Sequence, residues 1–136
     1  MTESRKGEDV LRKRCLVVED VPMIRRIIEM MMARFRCDVI VASDGERALA
    51  VCRVAMPDLI LLDWSMPNMD GLTFVAELRR LEGGDKPKII MCTVNRQNHH
   101  ITMALAAGVD EYIKKPFNID RLSEKIGKFG IFDDEL

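Results

Sequence analysis

Five times along this chain a short, apolar, β-branched run is followed by a segment whose apolar residues recur at helical spacing. That alternation calls for an α/β fold with a parallel sheet, since a helix must carry the chain back before the next strand can pair in the same direction. The strands are predicted at Cys15–Glu19, Asp38–Ala42, Leu59–Asp63, Lys88–Thr93 and Glu111–Lys114. All are short and mostly apolar, as strands covered on both faces must be.

The first helix is predicted to open at Pro22 and to bury one stripe of Ile24, Ile27, Ile28, Met31 and Phe35. A second begins at Ser43, with Glu46 three residues on as a capping box, and buries Ala48, Val51, Cys52 and Ala55 before Pro57 stops it. The third runs from Gly71 to about Leu81, where Gly83, Gly84 and Pro87 break the chain. A fourth, from about Gln97 to Ala107, ends at Gly108 and carries Ile101, Ala104 and Leu105. The fifth, from about Ile119 to Lys128, sets Ile119, Leu122 and Ile126 on one face.

The 136 residues fit one domain of roughly 100–150 residues, expected over 15–130, with a polar extension at 1–14 and an acidic tail at 131–136. Hydrophobic residues at 48% and charged ones at 32% exclude a disordered or membrane-embedded chain. Twenty-one basic residues against 22 acidic ones argue against a nucleic-acid surface, and the run Arg12-Lys13-Arg14 reads as a solvated lead-in to the first strand. Cys15, Cys37, Cys52 and Cys92 form no CxxC pair and lie in apolar segments, where cysteine acts as a small hydrophobe. With no signal core and no apolar run of the ~18 residues needed to span a bilayer, the expected compartment is the cytoplasm. A monomer is expected.

Ligands of open parallel sheets bind outside the carboxyl ends of the strands. Strand one ends here in Glu19 and Asp20, strand three in Asp63, strand four in Thr93, and strand five leads to Lys115. Strand two ends in Ser43-Asp44, which reads as a helix cap, an omission that makes sense if strand two lies at an outer edge; the expected order is 2-1-3-4-5, that of the flavodoxin-like (βα)5 three-layer sandwich. Neighbouring carboxylates about 4 Å apart at an effective dielectric near 20 repel by about 4 kcal/mol per pair. A shared proton or a hard divalent cation would offset this, and Mg2+, which favours carboxylate and phosphate oxygens, is the better match.

The stretches Leu16–Asp20, Asp63–Gly71 and Tyr112–Phe117, together with Thr93, resemble the receiver domains of bacterial two-component response regulators. The resemblance spans roughly Cys15 to Lys128. It implies that Asp63 is the phosphoacceptor and that Asp20 is a direct Mg2+ ligand, with Glu19 acting through bound water and the Ser65 backbone carbonyl as a further ligand. Thr93 and Lys115 would contact the phosphoryl oxygens, and the Lys115-Pro116 bond would be cis. Pro67 and Gly71 would shape the loop after Asp63. Tyr112 would turn inward as Thr93 moves toward the phosphoryl group, a two-state element biased by charge at Asp63.

Two positions depart from the chemotaxis members of that family: Ser65 and Asn95 replace asparagine and glutamate at sites that tune the lifetime of the phosphorylated form. His99-His100 reads as a solvated polar patch, since adjacent helical residues face different sides.

The resemblance implies a single-domain regulator that takes phosphate from a histidine kinase or phosphotransfer protein and binds a target through about Asn95–Lys128, in chemotaxis or motility. A phosphate sink or phosphorelay intermediate is the alternative. Neither is an enzyme beyond its own phosphorylation and dephosphorylation. An aspartyl phosphatase would need a second aspartate where Ser65 stands, and a nucleotide enzyme would need a glycine-rich loop where Asp20-Val21-Pro22 follows the first strand.

Overall fold

The computed structural model describes residues 12–66, 68–94 and 98–132. Pro67, Asn95 and Gln97 lie outside the described residues, as do 1–11 of the predicted extension and 133–136 of the predicted tail.

Five parallel strands, β1 (Arg14–Val18), β2 (Asp38–Ala42), β3 (Leu59–Asp63), β4 (Lys88–Thr93) and β5 (Glu111–Lys114), form one sheet in the order β2-β1-β3-β4-β5. The connecting helices are α1 (Pro22–Met32), α2 (Gly45–Val54), α3 (Gly71–Arg80), α4 (Asn98–Ala107) and α5 (Ile119–Gly127). Alternate strand residues feed two cores. Leu16, Ile60, Leu62, Ile89 and Met91 pack with Phe74, Val75 and Leu78 of α3, and with α2 and α4. Cys15, Val17, Leu59, Leu61 and Ile90 pack with Ile28 and Met32 of α1 and with Leu122 and Ile126 of α5. The period of two along each strand thus builds three layers.

Local chemistry explains most boundaries. Pro22 opens α1, where its missing N–H removes nothing the helix needs. The Asp70 side chain accepts from the Thr73 N–H at 2.8 Å, and Asn118 caps α5 through the Arg121 N–H at 2.9 Å. Gly108, at φ +119, ends α4 in a conformation that suits glycine alone.

Four expectations need correcting. The first strand lies one residue earlier, because Arg14 pairs in register with Asp38 and the paired register ends at Val18, level with Ala42. The cap of α2 is Asp44, not Ser43: its Oδ1 accepts from the Arg47 N–H at 2.8 Å, which leaves Ser43 outside the helix. Ile27 on α1 is 47% exposed, and Met32 fills the core in its place. Leu105 on α4 is 46% exposed, so that Ala104 alone of that stripe is fully buried. A helix on one face of a sheet buries a narrower arc than its apolar residues occupy.

Candidate functional site

Sheet register brings the predicted strand-end residues to one rim. Val18 pairs with Leu62, which places Glu19 level with Asp63, while Asp63 pairs with Cys92 and Thr93 with Lys114. Lys115 follows β5, its N–H donating to the Thr93 carbonyl at 2.9 Å. The peptide bond between Lys115 and Pro116 is cis.

At this rim one carboxylate oxygen each from Glu19, Asp20 and Asp63 lies within 4.8 Å of the others. Glu19 and Asp63 are 1% and 7% exposed. The Lys115 ammonium donates to Glu19 Oε1 at 2.9 Å and approaches Asp63 Oδ1 at 3.4 Å. Glu19 Oε2 accepts from the Val21 N–H at 3.2 Å, and Asp63 Oδ1 from the Ser65 N–H at 3.3 Å. Among the described residues the site therefore carries three acids against the one ammonium paired with them.

The imbalance appears in the acid-base behaviour. Burial and then the neighbouring Glu19 charge push the Asp63 carboxyl up to about 6, against the opposing pull of Lys115 and the Ser65 N–H. Burial alone would lower the Lys115 ammonium, but its hydrogen bond to Glu19 and the Asp63 charge outweigh it, and its pKa is raised. A clustered set of hard carboxylate oxygens short of positive charge is the donor chemistry that Mg2+ takes.

The loop after β3 is held by Trp64, whose N–H donates to the Cys92 carbonyl at 3.0 Å and whose carbonyl accepts from the Gly71 N–H at 3.4 Å. Gly71 is the first residue of α3, and a Cβ there would stand 2.3 Å from the Trp64 ring, so it permits a close approach instead of a turn. Asn68 in this loop takes φ +72, a left-handed conformation that asparagine tolerates. Beside it, Trp64, Ser65, Leu72, Thr93, His100 and Met103 line a cleft of about 350 Å³ between α3 and α4.

Thr93 and Tyr112 lie on neighbouring strands and both face the α2–α4 layer, Thr93 in this cleft and Tyr112 against the core beneath it. His100 is half-buried and lines the wall of this cleft. Arg25 was not foreseen: its guanidinium donates to the Glu19 carbonyl at 3.0 Å and ties α1 to the acidic rim. No local pattern marks it, since an arginine on the first turn of a helix is ordinary.

The model of the family described as the response regulator receiver domain matches residues 15–127. The chain belongs to that receiver family. It is 33% identical over 116 residues to the "Chemotaxis protein CheY" of Bacillus subtilis, covering 85% of this chain and 95% of that protein. It is 37% identical over 115 residues to the "Probable transcriptional regulator ycf27" of Porphyridium aerugineum, covering 85% of this chain but 47% of that protein. This receiver thus spans about half the length of the first curated relatives it matches.

Among solved structures, the Vibrio cholerae chemotaxis protein CheY4 superposes with a TM-score of 0.82 at 28% identity, covering 86% of this chain and 98% of that one. The receiver domain of sensor histidine kinase PA1611 from Pseudomonas aeruginosa, solved with magnesium coordinated in its active site cleft, gives 0.76 at 31% identity, covering 85% and 98%. Among the described residues of this receiver, no helix is long and apolar enough to cross a membrane.

Proposed function

We propose that this receiver accepts a phosphoryl group on Asp63 from a histidine kinase or phosphotransfer protein and signals through phosphorylation-dependent binding to another protein. The observation that carries the reading is the position of the Asp63 carboxylate, between two further acids and the Lys115 ammonium. An Asp63 oxygen forms the new P–O bond as the P–N bond of phosphohistidine breaks, and the departing imidazole nitrogen takes up a proton. Charge spreads over the phosphoryl oxygens, so catalysis rests on positioned cations and donors.

Asp20, Asp63 and the Ser65 carbonyl would hold Mg2+, with Glu19 acting through water; when bound, the ion neutralises the acids and the incoming phosphoryl oxygens. Lys115 supplies a second positive charge, and Thr93 a hydroxyl. The acyl phosphate is reactive, so the mark is temporary, its lifetime set by Ser65 and Asn95. The chain would otherwise be no enzyme and would work in the cytoplasm. The Bacillus relative, matched along nearly its whole length, favours a chemotaxis or motility target reached through about Asn95–Lys128.

A phosphorelay intermediate is the second reading, favoured by the likeness to the receiver of a sensor kinase. Both require Asp63. Acetyl phosphate with Mg2+ should phosphorylate the protein and change the fluorescence of Trp64, its sole tryptophan. Asp63→Asn should abolish phosphorylation, and an unchanged yield would refute the assignment. A pull-down with and without beryllofluoride separates the readings, because only a signalling receiver gains a non-kinase partner.

A further inference from the structure

Lys125 is an unusual residue for its position. It lies on α5 yet is 5% exposed, and lysine is almost never buried without a reason. Its ammonium stands 4.6 Å from the centroid of the Tyr112 ring and 3.3 Å from Glu111 Oε1. That same Glu111 oxygen accepts from the Tyr112 N–H at 2.9 Å, while Oε2 accepts from Lys128 at 2.8 Å. Ile113 packs against α1 and α5, whereas Tyr112 packs against the opposite core. The Lys125 side chain therefore crosses the open edge of β5 and joins α5 to a ring belonging to the other layer.

We propose that Lys125, oriented by Glu111, is a latch that holds the Tyr112 ring in its resting orientation and so opposes the switch driven from Asp63. The latch rests on the reading of Tyr112 as the moving member of that switch. A cation over an aromatic face stabilises the ring where it lies, and burial strengthens the attraction. Leaving that orientation means losing the contact while Lys125 stays with Glu111. The resting state is then favoured, and any phosphoryl mimic must supply the difference. Lys125 is a positioning residue and touches no reacting group.

The test uses the full chain with Tyr112, its sole tyrosine, replaced biosynthetically by 3-fluorotyrosine. Beryllofluoride with Mg2+ is titrated while Trp64 fluorescence reports site occupancy and fluorine NMR reports the ring. Lys125→Met should lower the half-saturating beryllofluoride concentration by about two- to thirtyfold, the span of one cation–π contact from solvated to desolvated. Lys125→Arg should stay near wild type, and Glu111→Gln should shift the same way by less. Thermal melts establish folding, and if Lys125→Met does not fold, Glu111→Gln decides. Midpoints equal to wild type in folded Lys125→Met and Glu111→Gln would overturn the latch. Failure of the phosphoacceptor reading looks different: wild type and Asp63→Asn would then respond alike to beryllofluoride.

Discussion

The Lys115 ammonium donates to Glu19 Oε1 at 2.9 Å, joining the end of the first strand to the end of the fifth across 96 residues of chain. Among the described residues it is the one cation paired with both Glu19 and Asp63, each of them buried. Among the described residues, the cluster of Glu19, Asp20 and Asp63 is consequently offset in charge by the Lys115 ammonium alone, which leaves it net negative.

Removing that cation should therefore be felt in the fold as well as in the chemistry. Lys115→Met is expected to destabilise the metal-free protein at pH 7 by about 1–3 kcal/mol, less than for a fully buried pair because Asp63 can take up a proton. Urea unfolding of wild type and variant measures this. A variant as stable as wild type would mean that the ion pair contributes nothing net.

The raised Asp63 pKa has a definite sign in stability. Its folded value of about 6 lies above the ordinary 3.8, so the folded metal-free protein holds this proton where the unfolded chain has released it. The associated stabilisation is fully present below about pH 4 and is lost as pH rises through 6, amounting to at most about 3 kcal/mol. Asp63→Asn should flatten that decline and melt higher than wild type at pH 7. Added Mg2+ should raise the melting temperature of wild type more than that of Asp63→Asn. Melts from pH 4 to 7, with EDTA or Mg2+, test both statements, and parallel curves for the two proteins would contradict them.

Trp64 and Gly71 form a second sensitive contact. Gly71→Ala would place a methyl 2.3 Å from the indole, a separation that forces the ring or α3 to move. We expect a loss of about 1–3 kcal/mol, as for overpacking elsewhere, with a shifted Trp64 emission spectrum. Because the same loop carries Ser65, slower phosphorylation by acetyl phosphate should accompany it. Unchanged emission would show that the site absorbs the methyl elsewhere.

Periodicity and strand-end chemistry made much of this receiver legible in advance. The alternation of runs determined five strands and five helices, and Glu19, Asp20, Asp63, Thr93 and Lys115 stood out because strands in such a sheet deliver their last residues to one rim. These features depend on neighbours within a turn or two of chain. Which arc of α1 and α4 is buried was not determined that way: Ile27 and Leu105 are as apolar as their core neighbours, and only the sheet decides that they face outward. The same holds for Arg25 at the Glu19 carbonyl and for His100 in the cleft beside Thr93. Lys125 shows the limit most clearly, since in the sequence it is one more lysine on a charged helix. Its burial beneath Tyr112 exists because α5 packs beside the open edge of β5, a relation between distant segments that no local pattern encodes.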